Sequence, residues 1–408
     1  MTIPLKEYTT RRSKVLAALK RAGEGVSGGA AGIVFAGEES HALNESWKPH
    51  AHFQYLTGLV SESGSVILFD PTNPVKSKQV ILFLRPLNPE MEKWDGLRQE
   101  LGSELAKSIG IKTIMRTTHM SRVIADIITR TKTFATLMPL SSSGASPDLS
   151  YWQQVTSNVP ECRICDASHI IPALRSVKSK AEVDIIQEAV NITANGFKQA
   201  MQAVRGGLNE YKVQATLEYG YAMAGGRGSA FPPIVGGGLN STVLHYKENN
   251  QDLVDGDLVC IDSGVAFKGY GADITRTIPV NGTFTKRQKE IYNIVLKAEE
   301  AAIKAVKPGI TMAEVDAIAR AIIVKAGYGD YFIHSIGHHL GLETHDTCGS
   351  DSPLKTGAVV TIEPGIYIPE EAIGVRIEDD ILVTAKGRKN LSIDIPKSIN
   401  DIEKIMRG

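Results

Sequence analysis

The chain has 408 residues, 42% of them hydrophobic and 22% charged, with 45 Lys and Arg against 45 Asp and Glu. A formal net charge of zero excludes a protein that works by broad phosphate neutralisation and a polybasic membrane binder, while leaving room for local clusters. The length exceeds the ~250–300 residues at which one hydrophobic core stops growing, so two domains are expected.

No apolar run reaches the ~18 residues of a membrane span. The start, Met1-Thr-Ile-Pro-Leu-Lys6, lacks the apolar core of a secretory signal. A cytoplasmic protein with neither nucleic acid nor membrane as partner is expected. In chain order, residues 8–22 read as a basic amphipathic helix, and the apolar runs 32–36, 65–69 and 80–84 read as buried strands. Helices near 97–109 and 120–131 would cover them, and 141–145 reads as a loop. This gives an α/β N-terminal domain, a sheet covered by helices, over residues 1–172. Cys162 and Cys165 form a lone CxxC, with Cys260 and Cys348 far away in sequence. Two reduced thiols are favoured over a redox or zinc element.

Residues 173–408 contain a repeat. Ser179-Lys-Ala-Glu182 has the capping-box pattern and opens a long helix to about Val204; Arg205-Gly-Gly-Leu208 breaks it, and a second helix follows from about Glu210. Strands run to about Val280. Thr285-Lys-Arg-Gln288 then opens another long helix, Lys307-Pro-Gly-Ile310 breaks it, and Thr311-Met-Ala-Glu314 caps a fourth, before strands to about Thr384. Val204 aligns with Val306, an offset of 102 (306 − 204). Two helix–break–helix–strand halves predict a pseudo-twofold α+β domain, with helices outside and a curved antiparallel sheet inside.

The chemistry-bearing residues lie in this domain. His245, His334, His338, His339 and His345 are five of the ten histidines. Asp262 follows an apolar strand, and Asp273 follows it by 11 positions (273 − 262) across a turn at Lys268-Gly269, which can set the two carboxylates face to face. Glu363 and Glu378 also end apolar strands. An unpaired buried carboxylate costs several kcal/mol, and converging carboxylates cannot all stay ionised without cations. The joint pattern therefore implies polyvalent cations. A carboxylate-rich set with imidazole suits Mn²⁺ better than a thiolate-rich structural zinc site does, and four carboxylates exceed the need of one ion, so a pair of ions fits.

His334-Ser-Ile-Gly-His338-His-Leu-Gly-Leu-Glu-Thr-His345, Ile362-Glu-Pro-Gly365, Val375-Arg-Ile-Glu-Asp379 and the Asp262/Asp273 pair resemble the proline-specific metallopeptidases of the pita-bread fold, the aminopeptidase P and prolidase family. Val243-Leu-His-Tyr-Lys-Glu-Asn249, Gly271-Ala-Asp-Ile-Thr-Arg-Thr277 and Pro396-Lys-Ser-Ile-Asn-Asp-Ile-Glu403 also match, as do Phe53-Gln-Tyr-Leu-Thr-Gly58 and Glu92-Lys-Trp-Asp-Gly96 in the N-terminal half. The resemblance implies a pita-bread catalytic domain at 173–408 holding two divalent ions, Mn²⁺ first with Co²⁺ or Zn²⁺ as alternatives. Asp262 would chelate one ion, Asp273 and Glu378 would bridge, and His338 with Glu363 would bind the other. The spacing selects His338 over His339, which becomes a packing or supporting residue.

It further implies an Xaa-Pro aminopeptidase acting on proline-containing peptides, with an Xaa-Pro dipeptidase as the alternative. Glu363 would be the general base, His245 and His345 substrate contacts, and His334 an outer histidine aiding proton movement. Arg376 would orient a carboxylate or serve structure alone, and Tyr367 would add a hydrogen bond. A methionine aminopeptidase fits less well, because the long N-terminal domain and the His-rich phrase suit the proline-specific branch, and a metal-free relative of the creatinase kind or a silent binding module fits less well because all five ligand positions are filled. The resemblance implies that the N-terminal domain supports oligomerisation, as a homodimer or homotetramer, and access to substrate. Trp94 matches a residue near the substrate region there, although an isolated tryptophan reads more readily as core packing.

Overall fold

In the computed structural model, which describes residues 2–22, 29–39, 47–95, 97–140, 144–347 and 352–407, the three apolar runs are strands β1 (Ala31–Phe35), β2 (Val66–Phe69) and β3 (Val80–Leu84). Residues 141–143 of the expected loop, Gly96 and Cys348 lie outside the described residues. The chain divides into Thr2–Leu174 and Arg175–Gly408.

The first unit carries a six-stranded sheet in the order β4-β3-β2-β1-β5-β6, with β4 (Thr113–Arg116), β5 (Thr133–Thr136) and β6 (Arg163–Asp166). The pairs β1–β2 and β2–β3 are antiparallel, whereas β3–β4, β1–β5 and β5–β6 are parallel. Ile33, Leu68 and Phe83 of the sheet pack with Ile124, Ile127 and Trp152. Each such side chain contributes about 1.5–3 kcal/mol by leaving water. Trp152 Nε1 donates to the Ala135 carbonyl at 3.0 Å, so its one polar atom is satisfied.

Two expectations for this unit need correction. The helix expected at 97–109 begins only at Ser103, after an extra helix at Pro89–Asp95. Trp94 is 86% exposed, so it is not a core residue. The strands β4, β5 and β6 had no apolar run to mark them. Cys162 and Ile164 pack against the core cluster. Strand alternation therefore turns Cys165 to the opposite face, and both are free thiols, which burial pushes up in pKa.

In the second unit all four long helices have side-chain caps. Ser179, Thr285 and Thr311 close capping boxes with Glu182, Gln288 and Glu314, and Asn209 accepts from the Tyr211 amide. The helices are Lys180–Ala203, Glu210–Met223, Lys286–Ala305 and Met312–Lys325. The offset of 102 holds at three boundaries (305 − 203, 312 − 210, 325 − 223), and the first helix is four residues longer at its start (286 − 180 = 106). The strands are β7 (Ile234–Gly237), β8 (Leu258–Ser263), β9 (Ala266–Phe267), β10 (Tyr270–Gly271), β11 (Ile274–Pro279), β12 (Val359–Ile362), β13 (Gly365–Ile368), β14 (Ile373–Arg376), β15 (Asp379–Thr384) and β16 (Gly387–Asn390). They pair antiparallel as β11-β8-β7, β12-β15-β16, β10-β9 and β13-β14. The Glu378 amide donates to the Thr275 carbonyl at 3.1 Å, and Thr277 Oγ1 donates to the Arg376 carbonyl at 2.9 Å. These bonds tie the strands of the two halves together.

Candidate metal centre

The carboxylates converge because four strand ends meet. Asp262 sits on β8 opposite Thr275 of β11, and Asp273 immediately precedes β11. Between them the β9–β10 hairpin turns through Lys268 (φ 51°) and Gly269 (φ 89°), the paired left-handed residues a two-residue hairpin requires. Gly264 permits the closure, since a Cβ there would lie 1.8 Å from the Ala272 carbonyl oxygen. From the other half, Glu363 follows β12 and Glu378 precedes β15, whose strands pair Ile362 with Asp379.

His338 is placed by the β12 backbone. Its amide donates to Thr361 Oγ1 at 3.0 Å, and its carbonyl accepts from the Thr361 amide at 2.9 Å. Gly337 (φ 150°) makes this approach, with a Cβ there falling 2.2 Å from the Thr361 carbonyl oxygen. His338 Nε2 then stands 3.5 Å from Asp273 Oδ2 and 3.5 Å from Glu363 Oε1. One ligand atom each from Asp273, His338 and Glu378 fall within 4.8 Å of one another.

All nine residues expected to form the site line one cavity of about 420 Å³. His345 sets its ring 4.1 Å from that of His338, while His245 is exposed at the margin. His334 Nε2 is 2.8 Å from the Tyr367 hydroxyl. Arg376 Nη2 pairs with Asp262 Oδ2 at 2.7 Å, and its Nη1 donates to Tyr367 at 3.1 Å. His339 is buried away from this cavity and pairs its main chain with Val360, as a packing residue should.

The donor set fits divalent cations. Asp262 Oδ1 is buried and accepts no hydrogen bond among the described residues, and an orphaned buried carboxylate oxygen is costly unless a cation meets it. Burial, reinforced by Glu378, Asp262 and Glu363, holds the Asp273 carboxyl well above the usual range, and burial with Glu363 and Asp262 does the same to Glu378. Burial also pushes Glu363 up to about 8, against the opposing pull of Arg376. Burial pulls His338 down to about 4, leaving a neutral imidazole free to act as a ligand. The carboxylates thus resist ionising beside one another, which is the condition that bound cations relieve.

Residues 184–385 match the pattern of metallopeptidase family M24, and residues 8–136 match that of the aminopeptidase P N-terminal domain. The Xaa-Pro aminopeptidase of Haemophilus influenzae is 34% identical over 99% of this chain and 98% of its own. The chain belongs to metallopeptidase family M24. The Xaa-Pro dipeptidase of Pyrococcus furiosus is 44% identical, but over 58% of this chain and 68% of its own. The structure of Escherichia coli aminopeptidase P with the inhibitor Pro-Leu superposes with a TM-score of 0.85 at 28% identity, covering 100% of this chain and 99% of that one. The protein is thus a pita-bread M24 metallo-exopeptidase acting as an Xaa-Pro aminopeptidase. As a family member it uses divalent metal.

Two residues of this M24 centre escaped the sequence reading. Thr275 Oγ1 donates to Glu378 Oε2 at 2.7 Å and accepts from Arg376 Nε at 3.1 Å. Thr361 braces His338. Each threonine lies two residues from an acidic site residue, Thr275 after Asp273 and Thr361 before Glu363. Side chains two apart on a strand share a face, so that spacing was the available signal. No helix among the described residues is long and apolar enough to cross a membrane.

Proposed function

We propose that this enzyme is a dinuclear Xaa-Pro aminopeptidase of the cytoplasm, with Mn²⁺ as the preferred ion. Asp262, Asp273, His338, Glu363 and Glu378 would hold the pair, with Asp273 and Glu378 shared between the ions. The observation that carries this reading is the convergence of four carboxylates and a histidine in one cavity, where burial and neighbouring carboxylates hold Asp273, Glu363 and Glu378 above the usual carboxyl range. Bound divalent ions supply Lewis-acid activation of water at neutral pH.

The chain's own residues do the rest. Glu363, whose Oε1 stands 3.5 Å from His338 Nε2, would take a proton from the attacking water and return it to the leaving proline nitrogen. His245 and His345 contact the substrate and support the developing oxyanion. His334, fixed by Tyr367, relays protons from the outside. Arg376 orients Asp262. The aminopeptidase reading is favoured over the dipeptidase because the Haemophilus influenzae relative matches along the full length, whereas the Pyrococcus furiosus dipeptidase matches 58% of the chain. The segment 1–172 would serve oligomerisation and substrate access beside the catalytic segment 173–408. An exposed Trp94 suits contact with a second copy in a homodimer or homotetramer.

Asp273→Ala tests the centre. It should lose bound metal and Xaa-Pro cleavage while remaining folded, and full activity in that variant contradicts the dinuclear assignment. Comparing Xaa-Pro dipeptides with Xaa-Pro-Yaa tripeptides separates the two peptidase readings, and light scattering at micromolar concentration reports the assembly.

A further inference from the structure

Two cationic side chains of Lys or Arg line the catalytic cavity, Arg376 and Lys247. Arg376 is 3% exposed and committed, to Asp262 at 2.7 Å, Tyr367 at 3.1 Å and Thr275 at 3.1 Å. Lys247 is exposed and forms no ion pair among the described residues. Its backbone is nevertheless anchored on both sides. Tyr246 is buried and donates to Glu210 Oε2 at 2.8 Å; Asn249 is buried, accepts from the Val235 amide at 3.0 Å and donates to the Pro233 carbonyl at 2.8 Å. The ammonium is thus presented from a braced loop, two residues after His245, and it shares the cavity with the apolar side chains Phe231, Pro232, Ile234 and Leu244.

We propose that Lys247 recognises the C-terminal carboxylate of a short peptide substrate and so determines the length the enzyme prefers. The inference rests on the Xaa-Pro exopeptidase reading. A peptide that brings a free carboxylate into a cavity walled by Asp262, Asp273, Glu363 and Glu378 needs an uncommitted cation to receive it. Lys247 supplies that cation. A long chain, whose terminus lies far from the scissile bond, gains nothing from it.

The test compares free-acid and C-terminally amidated Xaa-Pro-Yaa tripeptides in the metal-loaded wild type, K247Q and K247R. Calorimetric titration of Pro-Leu and Pro-Leu amide serves as a readout independent of turnover. Amidation should raise KM and weaken Pro-Leu binding by up to about fivefold in the wild type, the range of a solvent-exposed ion pair. K247Q should abolish the difference and K247R should keep it. An amidation gap that persists in K247Q overturns the proposal, as does an equal change for acid and amide, which marks a merely structural lysine. Wild-type protein that prefers the Pro-Leu acid without cleaving any Xaa-Pro peptide upholds Lys247 and sinks the functional reading. Cleavage of Xaa-Pro peptides with no amidation gap does the reverse.

Discussion

Arg376 Nη2 stands 2.7 Å from Asp262 Oδ2. Its Nε reaches Thr275 Oγ1, which in turn donates to Glu378, so one guanidinium orients a carboxylate from each half of the repeat. Lysine keeps the charge but cannot make this fork. Arg376→Lys should therefore lower metal content or kcat/KM about 10–100-fold, the usual cost of removing a partner behind a metal ligand. Elemental analysis of the purified variant beside its kinetics checks this, and full metal occupancy with wild-type turnover contradicts it.

The titrating groups of the centre act in opposite senses. His334 and His338 are depressed to about 4 against an unfolded value near ~6.5. Their stabilising contribution is present above the unfolded value and is lost as pH falls towards 4. Glu363, raised to about 8, and Asp273 and Glu378, raised well above the usual range, contribute in the metal-free protein at low pH and lose that contribution as pH rises through the folded values. Between about pH 6.5 and 8 only the carboxyls change, so the metal-free protein loses stability there. Cations that displace those protons bind more tightly over the same window. The Tm gap between chelator-treated and metal-loaded protein should widen from pH 6.5 to pH 8 in calorimetry, and a narrowing gap contradicts the assignment.

Asp346 adjoins His345 and is 7% exposed. It pairs with the buried Arg175 and, at 3.0 Å, with Lys178 Nζ. Removing one member of a buried ionic cluster leaves uncompensated charge and costs about 3–5 kcal/mol. Asp346→Leu should lower unfolding stability by that amount in urea titration, and adding Arg175→Met should recover part of the loss. Independent, additive losses would contradict this coupling.

Gly337→Ala places a Cβ 2.2 Å from the Thr361 carbonyl oxygen at a backbone with φ 150°. The overpacking should cost about 1–3 kcal/mol and displace His338, so metal content should fall further than that of Gly309→Ala. Gly309 lies in an open turn with no neighbour near its Cβ position.

The four long helices of the second unit were legible because each is bounded by a polar cap residue and a glycine-containing break, signals confined to a few positions. The four acidic candidates stood out because acids at the ends of apolar strands have few other uses, whereas the choice of His338 among the histidines came from the family resemblance. In the first unit, β4, β5 and β6 are four residues each and mix polar with apolar side chains, as in Thr133–Thr136 and Arg163–Asp166. What makes them strands is parallel pairing with partners distant in sequence, and no local pattern records that. Trp94 misled for a similar reason: its size suggests burial, yet the short helix Pro89–Asp95 leaves it in solvent. Thr275 and Thr361 act through hydroxyls common on any strand, so only their spacing from the acids sets them apart.

The two halves contribute unequally. Asp262 and Asp273 come from the first, and His338, Glu363 and Glu378 from the second. A symmetric pair of separate half-length chains must offer the same donors twice, so it cannot place an imidazole on one side of the seam alone. Joining the halves covalently lifts that restriction. The peptide link allows duplicated scaffolds to diverge into different roles while still meeting at a single shared site.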